Sequence, residues 1–117
     1  MEPFPEDHDL VSFFEHAPDV EAASTPWFYN CITFRGSKGD IHYMVRLQPA
    51  DGECEISIYT DDQRLFDTHI FEIQGVTIQQ NPNEAVMMFT FPTDSARGLL
   101  KLRLRPHLSV EWPFDRS

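Results

Sequence analysis

Between Met1 and Phe34 the chain has no lysine and no arginine, against seven acids: Glu2, Glu6, Asp7, Asp9, Glu15, Asp19 and Glu21. That stretch carries seven of the ten net negative charges of the 117-residue chain. A field of this sign repels duplex DNA, RNA and anionic lipid, which excludes nucleic acid and membrane as main partners and favours a basic protein. Long apolar runs are also missing. No segment approaches the ~18 uninterrupted apolar residues of a spanning helix, and Met1-Glu2-Pro3-Phe4-Pro5-Glu6-Asp7 lacks the cationic start and apolar stretch of a secretory leader. The expected compartment is the cytoplasm.

Cysteine is scarce, with two residues and no Cys-x-x-Cys, so no zinc-ribbon spacing exists. Cys31 and Cys54 fall in strand-like segments and read as reduced thiols serving as small apolar groups, with pairing left open. Catalytic signatures are absent as well. The five histidines form neither His-x-His nor His-Glu-x-x-His, there is no Gly-x-Ser-x-Gly elbow, and Gly36-Ser37-Lys38-Gly39 is hairpin chemistry without the spacing of a phosphate loop. Asp61-Asp62 and Asp51 with Glu53 supply too few oxygens in the wrong pattern for an EF-hand. No catalytic residue, metal or cofactor is expected. The enzymatic alternative is a dispersed site using His42 or His69 beside a carboxylate.

What is present is a core. A hydrophobic fraction of 41% with ten phenylalanines excludes wholesale disorder and suits one folded unit over residues 1–117. Residues 1–26 are acidic and punctuated by Pro3, Pro5, Pro18 and Pro26. Asp9 is expected to cap a short helix through Leu10, Val11, Phe13 and Phe14 to His16, with Pro18 blocking extension. Leu10, Phe13 and Phe14 share one helical face.

From Trp27 to Trp112 the dominant period is two, followed by a tail at 113–117. Strands are expected over Trp27 to Arg35, from Ile41 through Leu47, from Cys54 through Ile58, over Leu65 to Gln74, over Val76 to Ile78 and over Ala85 to Phe91. Gly75 allows a break, and Pro49-Ala50-Asp51-Gly52, Thr60-Asp61-Asp62-Gln63 and Asn81-Pro82-Asn83 are turn chemistry. At the end, Leu100, Leu102, Leu104, Leu108, Val110 and Trp112 alternate with Lys101, Arg103 and Arg105, and Pro106 marks a turn between two strands. The fold class is all-β, mainly antiparallel: a β-sandwich or strongly curved sheet of about seven or eight strands with a short N-terminal helix. Glu53 and Glu55 share a face, and pairing with Lys101 or Arg103 would make the basic ribbon internal charge balance.

The order Phe71-Glu72-Ile73-Gln74-Gly75-Val76-Thr77-Ile78, then a strand pair and a closing alternating strand ending at Glu111-Trp112, resembles the small acidic β-rich immunity proteins of bacterial polymorphic toxin systems. The resemblance spans roughly residues 30–112 as a pattern of elements and transfers no individual residue. It implies a non-catalytic inhibitor that occludes a cognate toxin, often a basic nuclease. From the residues themselves, the candidate partner surface is the acidic Glu6, Asp7, Asp9, Glu15, Asp19 and Glu21 with aromatic anchors Phe4, Phe13 and Phe14. The alternative is a small-molecule-binding barrel or sandwich with a cavity lined by Met87, Met88, Phe89 and Phe91.

Overall fold

Strand patterning dominates from Ile32 onward in the computed structural model, which describes residues 1–92 and 98–112. Among those residues, β1 (Asp19–Val20), β2 (Ile32–Lys38), β3 (Ile41–Gln48), β4 (Glu53–Tyr59) and β5 (Arg64–Ile70) form one sheet. A second sheet holds β6 (Gly75–Asn81), β7 (Glu84–Thr90), β8 (Leu100–Arg105) and β9 (Ser109–Glu111). Every pairing is antiparallel. Spatial order equals sequence order in both sheets, so each is a meander, neither closes into a barrel, and residues 71–74 carry the chain from one to the other. The tail at 113–117 lies outside the described residues.

Alternation explains the core. Phe34 of β2, Val45 and Leu47 of β3 and Ile56 of β4 join Met87 and Phe89 of β7 and Leu100 and Leu102 of β8 in one cluster, each with no exposed surface. Each such side chain contributes roughly 1.5–3 kcal/mol relative to leaving it in water. Of the residues expected to line a ligand cavity, Met87, Phe89 and Phe91 are buried in the core and Met88 is half-buried.

Several boundaries differ from the sequence expectation for local reasons. Trp27–Tyr29 forms a 3-10 turn between Pro26 and Asn30, and β2 starts only at Ile32. That strand instead continues past Gly36, where the ring of Tyr43, directly opposite in β3, lies over the glycine so closely that a Cβ would strike it. The hairpin shrinks to Gly39-Asp40, since Lys38 already pairs with Ile41 and Gly39 has the left-handed φ of +65° that the turn requires. β5 stops at Ile70 because the chain leaves its sheet there, and β1, with two residues, is too short to leave a periodic trace. The turn at Pro106 is present between β8 and β9.

The N-terminal helix α1 (Asp7–Phe14) is capped by Glu6, not Asp9. Glu6 accepts from the backbone N–H of Asp9, and the Asp9 carboxylate accepts from the Glu6 N–H at 3.3 Å, a reciprocal capping box. The helix ends two residues before His16, because Glu15 takes a left-handed conformation and donates its N–H to Val11 O. Leu10, Phe13 and Phe14 face inward as the spacing predicts, and Ser12 on the other side accepts from Gln80 Nε2 of β6 at 2.7 Å.

Candidate functional site

The expected partner surface divides in three. Phe13 and Phe14 are 1% and 2% exposed. Phe14 stacks on Phe34 at 4.1 Å between ring centroids and meets Phe13 edge-on at 4.9 Å. No partner reaches either ring without unfolding the helix, so both drop out as anchors and serve as core. The reason lies in helical spacing: the face that buries Leu10 necessarily buries residues three and four positions on.

Glu15 and Asp19 have internal partners. Glu15 lies 3.6 Å from Lys38 Nζ and 3.5 Å from Arg105 Nη1, tying the helix end to both sheets. Asp19 pairs with Arg35 at 2.7 Å across the β1–β2 ladder. The Asp19 pair is well exposed and the Glu15 pairs are partly so, and each is worth at most about 1 kcal/mol, yet they withdraw two acids from the free field. The basic ribbon is likewise balanced, though not by the acids expected: Arg103 meets Glu84 at 3.1 Å, while Glu55 pairs with Arg46 and Glu53 approaches His69 in the other sheet. Lys101 sits opposite Glu111 in the β8–β9 register.

Phe4, Glu6, Asp7, Asp9 and Glu21 remain at the surface, Phe4 and Asp9 half-buried and the others exposed. The segment before α1 runs along the edge of β6: Glu2 N–H donates to Gln74 O and Val76 N–H donates to Pro3 O, both at 2.8 Å. Beyond Pro3 the segment departs from the strand, leaving a groove of about 380 Å³ lined by Pro3, Phe4, Pro5, Asp9 and the β6 residues Val76, Thr77, Ile78 and Gln80. Phe4 also meets Phe28 edge-on at 5.9 Å, and Phe28 meets Tyr29 at 5.2 Å. Tyr29 is 70% exposed, the most exposed large apolar residue among those described. Beside it a smaller hollow of about 180 Å³ is bounded by Glu21, Tyr29, Asn30, Cys31, Gln48, Ala50 and Asp51. The sequence pattern, which places residues 27–35 in a strand, does not single out Tyr29. The available signal was its place between Pro26 and a hydrogen-bonding Asn30, where an aromatic need not alternate inward.

Catalytic alternatives are testable against geometry. His42 does lie beside a carboxylate: Asp61 Oδ1 is 2.9 Å from its Nε2, and Ser37 Oγ is 2.6 Å from its Nδ1. In the neutral ring, an acceptor-only carboxylate places the proton on Nε2 and leaves Nδ1 to accept from the serine. The side chain of Asp61 is 90% exposed, and neither hollow described above includes these three residues, so the chain of hydrogen bonds lies on open sheet surface. His69, the other candidate, is 3.9 Å from Glu53 and stacks on Phe71. Glu6, His8 and Asp9 bring one ligand atom each within 4.8 Å of one another, and the two carboxylates also take part in capping α1.

The two thiols differ. Complete burial pushes the Cys54 thiol far up, and partial burial raises Cys31 less, with Arg46 opposing and Glu21 reinforcing the shift. A raised pKa means less thiolate at a given pH. Near pH 8, iodoacetamide is expected to modify Cys31 slowly and Cys54 only after unfolding in urea, read by mass spectrometry; alkylation of both at equal rates in the native protein would contradict this placement.

No protein-family model matches the chain, and no curated protein matches it. A solved structure does: a chain of the contact-dependent growth inhibition toxin and immunity protein complex from Klebsiella pneumoniae 342 is similar in fold, with a TM-score of 0.77, 14% sequence identity and coverage of 94% of both chains.

Proposed function

We propose that this protein is a stoichiometric inhibitor of the immunity type, acting in the cytoplasm by covering the working surface of a basic toxin domain. The observation that carries the reading is the fold shared along 94% of both chains with a member of a toxin and immunity protein complex. The net charge of -10 supports it, since an acidic protein attracts a basic enzyme before contact.

The test is affinity capture from lysate of the source cells at low salt, followed by expression of the captured polypeptide alone and together with this chain. Growth arrest by the polypeptide alone and recovery on coexpression is the expected result. Recovery of background only, or of a polypeptide whose expression leaves growth unchanged, would overturn the proposal.

The exposed acids are proposed to steer the encounter. Changing Glu6, Asp7 and Asp9 together to Gln, Asn and Asn keeps the side-chain oxygens that cap α1 and removes three charges. Association with the captured toxin, followed by stopped-flow, should slow several-fold at low salt and lose much of its salt dependence. An unchanged rate and salt slope would remove electrostatic steering from the proposal.

A further inference from the structure

We infer that the groove beside β6 is the docking site for an extended segment of the basic toxin, which would continue the strand pairing that Glu2 and Pro3 begin; this rests on the inhibitor reading above. Along an antiparallel strand, backbone N–H and C=O groups point alternately to the two sides. Val76 turns its N–H away from β7, toward Pro3 O, and Ile78 two residues later faces the same way. There the N-terminal segment has departed, and among the described residues Ile78 has no backbone partner on that side. The edge has thus already accepted main chain over one stretch and stands open over the next.

Protein edges of this kind are usually blunted by lysine, proline or a bulge. Within β6, Gly75–Asn81, there is no lysine and no proline, and its register with β7 is unbroken. The groove along it is the right form for a strand: Pro3, Phe4, Pro5 and Val76 supply apolar wall, and Ile78 supplies main-chain hydrogen bonds. Its charge selects the occupant. Asp9 lines the groove with its side chain 49% exposed, Glu2 and Glu6 flank the prolines, and the first cation of the sequence is Arg35. An extended segment presenting a lysine or arginine to Asp9 and an apolar residue to Phe4 is complementary on both counts.

Two substitutions test the site on the full chain. Ile78→Pro removes the outward N–H while sparing the β6–β7 bonds. Thr77→Tyr fills the groove with a residue that strands favour and serves if the proline variant melts early. Affinity for the captured toxin, measured by calorimetry, is expected to fall at least ten-fold in each, chiefly through faster dissociation, while Leu65→Ala on the edge strand of the other sheet leaves it unchanged. Folded variants that bind like the wild type would overturn the docking site and leave the inhibitor reading standing. A chain that captures no growth-arresting partner would overturn both.

Discussion

Replacing Phe14 with alanine is expected to destabilise the protein by about 3–5 kcal/mol, the range for a buried phenylalanine whose neighbours cannot collapse into the space. Its ring is stacked on Phe34 and edge-on to Phe13, and all three are at most 2% exposed. Aromatic pairs of this geometry add about 0.5–1.5 kcal/mol beyond area burial. Urea unfolding should show a lower midpoint, and the melting temperature should drop by roughly 10–20 °C. The same measurement decides what Phe14 does. An interaction anchor would lose affinity and keep its stability; a core residue loses stability, and the fraction still folded binds normally. A stable Phe14→Ala protein with weakened binding would reverse the assignment made here.

The second large effect is expected at Asn30. Its side chain is buried and fully used: Oδ1 accepts from the N–H of Ala22 at 3.1 Å and of Cys31 at 2.9 Å, and Nδ2 donates to Ala22 O at 2.6 Å and Thr25 O at 3.1 Å. One amide therefore organises the turn-rich stretch between β1 and β2. Alanine removes four bonds and strands buried backbone groups, for a cost of about 3 kcal/mol at the usual net worth of such bonds. Aspartate is a sharper probe. It retains both acceptor bonds but sets a carboxylate against two carbonyl oxygens, so Asn30→Asp should rescue little. Rescue to within about 1 kcal/mol of wild type, read from urea midpoints, would show that the two donor bonds contribute nothing. Because the same stretch displays Tyr29, Asn30→Ala is also expected to broaden the Tyr29 resonance.

Both residues show how far the sequence could be read. Period-two alternation located β3, β4 and the paired β8 and β9 with little error, because one face of each is buried and the other is not. It failed at Trp27-Phe28-Tyr29, an aromatic run that reads as strand, because the amide of Asn30 offers the backbone a competing set of hydrogen bonds. The helix cap was ambiguous for a related reason: Glu6 and Asp9 are both carboxylates at capping distance, and only the backbone angles show which stands outside the helix. The candidate site was legible in composition and not in detail. An acidic segment is visible in any reading, but that Glu15 meets Lys38 and Arg105 depends on two sheets meeting at one end of the molecule. Phe4, Glu6 and Asp9 gather beside β6 only because the chain runs along that edge before turning into α1.

The two meanders have a consequence for how this protein comes into being. In each sheet every strand lies beside its neighbour in sequence, so each ladder can zip from a short hairpin with a modest loss of chain entropy. For a β protein the sequence separation between paired strands is small, which places the chain toward the quicker end of its class. The step that must wait is the meeting of the two sheets, and with it the laying of residues 1–5 along β6. The groove beside β6 needs residues 3–9 and β6 together, so its two walls, separated by roughly seventy residues of sequence, come together only after β6 has been made.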